Sequence, residues 1–510
     1  MTRPSSILPA ALITCLCIGF ECLAADTSFT PVQTSLFSAP GGQSNAWGDF
    51  DNDGDLDLII TFRDAPVRLY RNGPDGFEDV GASHGLPTDG GNPRSVAWGD
   101  YDGDGDLDVY IGYAGYDGPA NRLFRNNLQQ GQAGFTEVGE ASGVALHGHT
   151  RQVSFIDYDS DGDLDLYVAM RASVNRLLQN NDGIFTDVTM SSGIMEPRRT
   201  VGACWFDMDA DGDLDLFTAN QNGDRDGLFR NDKGIFSDVA IELDMDQPRR
   251  ALTDGSVGCA VIDFDTDGDL DLYVAAYGND KLYRNNGDGS FTDVAPEMGI
   301  ANEHHIVTGV WGDIQHDGRP DLYIVGYING KPGTPDYLYI NEGDRFENRL
   351  PEIIAMNDAD HGVQWADFDQ DGDLDLALTA NDPAGSHYLF RNDLPADIAG
   401  RSIQVLVLDA AGHYTRAGSE VRVYRTGTDE LLGLRMVDTG SGYNAQNAKP
   451  VHIGLQEWGR VDVHVTTMST EGRRVHKFSN IDPRELGGKP FIAKVGDKKS
   501  SSAKLQYPDP

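Results

Sequence analysis

Apolar and polar residues alternate in short runs along most of this chain, and the alternation recurs as a block. Each block opens with an apolar stretch running into an aspartate: AWGD, AWGD, SFID, CWFD, AVID, VWGD and QWAD. A polar, glycine-bearing loop follows, then alternating β-formers such as LDLII, LDVYI, LDLYVA and LDLFTA. A third piece reads LYRN or close to it, beginning at Leu69, Leu123, Leu177, Leu228, Leu282, Leu338 and Leu389. A fourth resembles FTDV, as at Phe185 to Val188 and Phe291 to Val294. Runs this short, with tight turns and no amphipathic stretch of helical length, predict four antiparallel strands per block.

The loops set the period. DFDNDGDLD begins at Asp49, DYDGDGDLD at Asp100, DYDSDGDLD at Asp157, DMDADGDLD at Asp207, DFDTDGDLD at Asp263, DIQHDGRPD at Asp313 and DFDQDGDLD at Asp367. Their first aspartates are 51, 57, 50, 56, 50 and 54 residues apart. Self-similarity at that period predicts stacked supersecondary units or propeller blades. The expected fold class is all-β: a seven-bladed β-propeller with calcium-binding hairpin loops, followed by a small β domain. Trp or Phe stands two residues before the loop in six blocks, using five of the six tryptophans, and is expected to pack between blades. The seventh block stops after Asn392 without its FTDV piece. Ser28-Phe29-Thr30-Pro31-Val32 is an orphan copy, so the N-terminal strand is expected to complete the last blade.

Five carboxylates in nine residues repel one another unless a cation lies among them. Aspartates at loop positions 1, 3, 5 and 9, a glycine at 6 and a carbonyl at 7 supply the hard oxygen ligands calcium requires. The candidate metal set is Asp49, Asp51, Asp53, Asp55 and Asp57; Asp100, Asp102, Asp104, Asp106 and Asp108; Asp157, Asp159, Asp161, Asp163 and Asp165; Asp207, Asp209, Asp211, Asp213 and Asp215; Asp263, Asp265, Asp267, Asp269 and Asp271; and Asp367, Asp369, Asp371, Asp373 and Asp375. An EF-hand would need a glutamate at position 12 and flanking helices, whereas Ile60, Ile111 or Val168 stands there inside a predicted strand. The competing reading has the aspartates only capping turns through Asx hydrogen bonds. The loop at Asp313 departs from the pattern, with Gln315 at position 3 and Arg319-Pro320 at positions 7 and 8.

Composition narrows the partners. Aspartate and glutamate outnumber lysine and arginine 81 to 40 over 510 residues, a formal charge of -41. A field of that sign disfavours nucleic acid and anionic membrane surfaces. Residues 1–25 have the layout of a signal peptide: Arg3, an apolar run from Ile7 to Phe20, and small residues at Ala24-Ala25. The chain is therefore expected outside the cytoplasm, secreted, periplasmic or on the cell surface, with no membrane span. Cys15, Cys17 and Cys22 leave with that peptide. Cys204 and Cys259 remain, one residue out of register in neighbouring blocks; two buried free thiols are expected, with a disulfide as the alternative in an oxidising compartment.

The blocks resemble FG-GAP/VCBS repeats of integrin-like propellers from Phe29 to Asn392. Beyond Asp393 the loops stop, and GSEVRVY at Gly418 and GSGYNAQNAKPVHIGL at Gly440 are similar to the ASPIC/UnbV domain. Together the two parts resemble the cartilage acidic protein family in its bacterial form. The expected organisation is a propeller over 26–393, a β domain over 394–487 and a flexible tail over 488–510. The resemblance implies extracellular, calcium-dependent adhesion or matrix interaction with a protein or glycan.

Three functions remain open: a binding or scaffold protein, a calcium-dependent lectin, and a propeller enzyme of lyase or hydrolase type acting at the central channel. Nucleophile-elbow, paired-histidine and phosphate-loop motifs are all missing from the sequence. A lectin would need exposed aromatics, for which Trp458, Tyr113 and Tyr116 are the candidates. Strand direction places the segments just before each block on the face opposite the aspartate loops. Arg94, His149, Arg151, Arg198, Arg199, His304, His305 and His361 fall there, with Asp254, Asp358 and Asp360. A ring of arginines and histidines in so acidic a chain suits an anionic ligand, because guanidinium forks match carboxylate, sulfate and phosphate groups.

Overall fold

A computed structural model describes residues 28–301, 305–327, 335–355, 360–380 and 389–496. The expected signal peptide, His304 and Asp358 lie outside the described residues. Among them, no helix is long and apolar enough to cross a membrane.

The chain is an all-β propeller of repeated four-stranded antiparallel sheets. In the second block, Pro93–Gly99, Asp108–Gly115, Arg122–Asn126 and Phe135–Glu137 pair in sequence order. The turn between the first two strands is the aspartate loop, and each loop needs two left-handed residues. In the loop at Asp157 these are Ser160 at φ 59° and Gly162 at φ 92°. In the last sheet the order is Asp360–Ala366, Asp375–Ala380, Leu389–Asn392 and then Phe29–Val32, with Phe29 opposite Asn392.

The first strand of each block is innermost. Gly42–Gly48, Pro93–Gly99, Gly148–Ile156, Thr200–Phe206, Gly255–Ile262, Ile306–Gly312 and Asp360–Ala366 each touch the next, and the last touches the first. Close approach is possible because glycines stand at the contact: a Cβ on Gly202 would lie 2.5 Å from the Val257 carbonyl oxygen, and one on Gly258 2.6 Å from that of Val307. Farther out, apolar side chains fill each interface. Trp205 packs edge-on against Tyr167 of the preceding sheet at 5.3 Å, and Trp47 stacks on Phe368 at 6.2 Å. Tyr113, an expected exposed aromatic, is buried in the same way, whereas Tyr116 is 53% exposed.

The recurring Asn of the LYRN piece explains itself here. The Asn126 amide donates to the Phe50 carbonyl of the preceding loop at 2.8 Å, and Asn180, Asn231, Asn285, Asn341 and Asn392 repeat the bond on Tyr101, Tyr158, Met208, Phe264 and Ile314. Asn72 makes it to Phe368, from the first block to the last. Each of these buried bonds contributes about 1 kcal/mol net and fixes one sheet to the next.

Two expectations are corrected. Cys204 and Cys259 form a disulfide rather than two free thiols, with Cα atoms 6.1 Å apart. Their one-residue offset puts them on opposite faces of their strands, and between neighbouring radial sheets those are the faces that meet. The expected loose tail does not hold for Phe491–Val495, which pairs in parallel with Ser402–Asp409.

The C-terminal residues form two sheets, one of Val451–Gly454, Ser402–Asp409 and Phe491–Val495, the other of Leu431–Met436, Glu420–Arg425, Val461–Thr467 and Arg474–Ile481. Val405, Val421, Val463 and Ile453 are buried between them. The pair rests on the aspartate-loop face. Gln404 Nε2 donates to Asp367 Oδ2 at 2.7 Å, Gln456 Nε2 to the Asp317 carbonyl at 2.6 Å, and Arg422 Nη2 to the Gly268 carbonyl at 3.0 Å.

Candidate functional site

The first candidate site is the set of aspartate loops. In the loop at Asp49, Asp49 Oδ1 and Oδ2 accept the amides of Asp53 and Gly54, and Asp53 Oδ1 accepts that of Asp55. Asp57 Oδ2 accepts the Phe50 amide, and its Oδ1 accepts that of Asn72 from the third strand. In this loop the Asx reading therefore accounts for positions 1, 5 and 9. It leaves position 3 unexplained: one oxygen each of Asp51, Asp102 and Asp159 is buried without a hydrogen-bond partner, as are Oδ1 of Asp157 and Asp367. A carboxylate oxygen left that way costs about 1–3 kcal/mol, or more when charged, unless a cation meets it.

Carboxylate oxygens converge within 4.8 Å in Asp49, Asp51 and Asp53; Asp100, Asp102 and Asp108; Asp157, Asp159 and Asp165; Asp207, Asp209 and Asp215; Asp263, Asp265 and Asp271; and one further group. These clusters could hold metal ions. Position 7 is absent from the five named clusters: Asp106 Oδ2 accepts the Gln129 amide and Asp213 Oδ2 that of Lys233, whereas Asp373 accepts the Leu394 amide at Oδ2 and has Oδ1 buried without a hydrogen-bond partner. Without a cation, burial pushes the carboxyls up, Asp49 to about 6, Asp367 to about 8 and Asp57 and Asp271 to about 9, with neighbouring aspartates adding to the shift. In the divergent loop, Arg319 pairs with Asp317, so its own side chain supplies part of the missing positive charge.

The second candidate site is the channel. A segment of the C-terminal region, Asp438 to Asn447, threads into it from the aspartate-loop end. Thr439 Oγ1 donates to the Trp205 carbonyl at 2.9 Å, and Gln364 Nε2 to the Ser441 carbonyl at 3.0 Å. The Val96 amide donates to the Asn444 carbonyl at 3.2 Å. Gln446 closes a pair with Phe155, accepting its amide at 2.6 Å and donating to its carbonyl at 2.8 Å, while the Trp47 amide donates to Asn447 Oδ1 at 2.9 Å. An innermost strand has one edge with no sheet partner. Here the inserted segment satisfies those edges.

At the tip of the segment is Tyr443, flanked by left-handed Gly442 at φ 62° and Asn444 at φ 54°. Its hydroxyl lies 2.5 Å from Arg94 Nη2, which also donates to His361 Nε2 at 3.0 Å; Arg94 Nη1 donates to Gln43 Oε1 at 2.7 Å. The His361 ring stands edge-on to Tyr443 at 3.8 Å. Burial holds the imidazole far below its ordinary range, with Arg94 adding to the effect, so it is neutral. Burial alone would raise the Tyr443 phenol, but Arg94 and Arg151 outweigh it and lower it.

A cavity of about 820 Å³ is lined by His149, Arg151, Arg171 and Arg199 among others, and Arg151 links it to the tip, since its charge acts on Tyr443. Arg151 is 7% exposed, donates from Nη1 to the Thr150 carbonyl, and has no carboxylate within ion-pair distance among the described residues. Burial, with Arg94 close by, pulls its guanidinium down to about 9.

The structure thus brings Arg94, Arg151 and His361 to the channel, and His149 and Arg199 to the cavity wall. His305 stacks near Tyr277 at 4.5 Å. Arg198 is turned away and held by Glu196 and Asp238, the second at 2.7 Å. Asp254 accepts the Thr253 hydroxyl, and of Asp360 only the backbone is described. Sequence reasoning missed Tyr443, Arg171 and Tyr277. The signal for Tyr443 was its place in a polar run, GSGYNAQN, too rich in amides for an ordinary exposed turn.

Comparison with known proteins agrees with the repeat. A family model described as FG-GAP-like repeat matches residues 49–111, 157–218, 207–274, 263–324 and 325–378, and one described as FG-GAP repeat matches 92–133. Cartilage acidic protein 1 of Homo sapiens is 25% identical over 497 residues, 87% of this chain and 72% of that protein. The Mus musculus protein is 25% identical over 496 residues, 87% and 74% of the two chains. Among solved structures, BBS1N in complex with ARL6DN aligns with a TM-score of 0.45 at 13% identity, covering 73% of this chain and 97% of that one. The chain belongs to the FG-GAP-like repeat family.

Proposed function

We propose that this chain is an exported, calcium-loaded seven-bladed propeller that acts as a binding or scaffold protein, taking an anionic ligand at the open end of its channel. Signal peptide 1–25, propeller 26–393 closed by its N-terminal strand, and β domain from 394 make up the organisation that goes with this reading. Calcium is supported by the oxygen-only donor sets and by the orphaned oxygens of Asp51, Asp102 and Asp159. In each loop the ion would be held by the aspartates at positions 1, 3, 5 and 9, and it would supply the charge that lets them stay ionised where they are buried. Extracellular adhesion is in keeping with the similarity to cartilage acidic protein 1.

One observation carries the ligand: Arg151, buried on the cavity wall with no carboxylate partner among the described residues. An uncompensated buried charge costs several kcal/mol, and an incoming anion offsets that cost. Arg94, whose Nε is also buried without a partner, adds a second positive group at the channel floor. The cavity volume suits a small molecule or the end of a chain. Isothermal titration of the calcium-loaded protein with uronate and sulfated oligosaccharides tests this reading. Binding is expected, and Arg151→Ala is expected to weaken it at least about 10-fold. Equal binding by wild type and variant would refute it.

A further inference from the structure

Around the tip of the inserted segment the Arg94 and Arg151 guanidinium groups flank the Tyr443 phenol, where a site that only binds would need the guanidinium groups alone. Tyr443 is delivered there at some cost. The segment passes the innermost strand so closely that a Cβ on Gly442 would lie 2.4 Å from the Val363 carbonyl oxygen. Asn444 adopts a left-handed conformation, which asparagine takes more readily than most non-glycine residues. Backbone held in this way at a channel floor is characteristic of functional sites. Packing alone does not call for the hydroxyl, since the ring is covered by His361 and would be covered equally as phenylalanine.

We propose that Tyr443 is a proton-transfer residue, and that the channel floor catalyses β-elimination from a uronate-containing glycan whose carboxylate is held by Arg151. The proposal rests on the anion-binding reading above and adds a reaction to it. Arg151 neutralises the carboxylate and so acidifies the carbon-bound hydrogen beside it. The Tyr443 oxygen, present as the phenolate and held by the Arg94 Nη2 donor at 2.5 Å, takes that hydrogen as a proton. The freed electron pair forms the new carbon–carbon double bond, and the bond to the glycosidic oxygen at the β carbon breaks. That oxygen leaves with the electron pair and receives the proton back from Tyr443. The products are an unsaturated uronate and an alcohol, the enzyme ends as it began, and no oxidant, reductant or water is consumed.

His361 is a positioning residue in this scheme. An arginine can only donate, so Nε2 of His361 accepts from Arg94, and its own proton is on Nδ1. That arrangement fixes the Arg94 fork toward Tyr443. The lowered phenol of Tyr443, set between Arg94 and Arg151, agrees with the role, whereas burial raises Tyr277 in the same channel.

The test uses the full-length, calcium-loaded protein with polygalacturonate, alginate, hyaluronan and heparan sulfate fragments, following the ultraviolet absorbance of the unsaturated product. Absorbance is expected to grow with at least one of them. Tyr443→Phe is expected to lose about 10²- to 10⁴-fold in rate while calorimetric titration still detects glycan binding to the folded variant. Binding without product from any of these glycans would overturn the catalytic inference and leave the binding reading standing. Neither binding nor product would overturn both. Product formation undiminished in Tyr443→Phe would remove that residue from the chemistry.

Discussion

At one end of the channel nearly every block contributes the same nine-residue carboxylate loop; at the other the segments differ between blocks, although Arg94 and Arg151 take the same place, six residues before their loops. The acidic end is covered by the C-terminal sheets, whose Arg422 and Gln404 bond to the loops and whose Arg473 lies 3.5 Å from Asp207. The open end has guanidinium groups, and among the described residues no carboxylate pairs with Arg94 or Arg151. Repetition serves the part that every sheet needs, a rigid turn between its two inner strands. On the proposed reading, ligand recognition falls to the segments that vary between blocks, as loops on rigid scaffolds generally carry function.

The largest expected effect separates the two ends outright. Chelating calcium should lower the melting temperature by about 10 °C or more, since each ion binds the folded state alone. The pH dependence should then change sign. In the chelated protein, the carboxyls raised by burial, Asp49 to about 6 and Asp57 to about 9, have folded values above their unfolded ones. Their stabilising contribution is complete below about pH 4 and is lost as pH rises through that window. The chelated protein should therefore melt higher at about pH 5 than at about pH 8, and the calcium-loaded protein lower, because protons compete with the ion. Calorimetric scans at the two pH values check this. An unchanged melt in chelator would mean the loops are capped turns only.

Gly442→Ala probes the junction of the two regions. The substitution adds a Cβ 2.4 Å from the Val363 oxygen at a φ of 62°, and should cost about 1–3 kcal/mol. It should also weaken ligand binding at the open end while leaving calcium content unchanged, because it displaces Tyr443 and not the loops. Elemental analysis alongside titration checks the pair. A loss of calcium would show that the two ends are one cooperative unit.

Legibility followed the same division. The aspartate loops, the strand pieces and the tryptophans stood out because a period multiplies a weak signal. The inserted segment did not, because Gln446 and Asn447 read as exposed loop amides, and only the unpaired edges of distant strands make burial favourable for them. The disulfide was misjudged by reasoning within one strand, when the relevant geometry lay between two facing sheets. Arg198 looked available because Glu196, two residues away, was not weighed as its partner. In Phe491–Val495, two lysines nearby drew attention from an apolar alternation that buries Ala493 and Val495.

The smallest expected effect sharpens the comparison within the acidic end itself. Asp159 and Gln315 occupy the same loop position in different blocks. Asp159 has an oxygen that is buried without a hydrogen-bond partner, in a cluster with Asp157 and Asp165. In the other loop, Arg319 neutralises Asp317, and Arg435 lies close enough to Asp313 for their charges to interact. If the ion is what holds a loop together, Asp159→Ala should cost about 1–2 kcal/mol in calcium and much less in chelator, where the lost carboxylate also relieves repulsion. Gln315→Ala should cost under about 0.5 kcal/mol in either condition, since arginine side chains already serve that loop. Urea melts of both variants, with and without chelator, give the four numbers. Equal losses at the two positions would mean that the divergent loop also binds metal, and that its arginines are incidental.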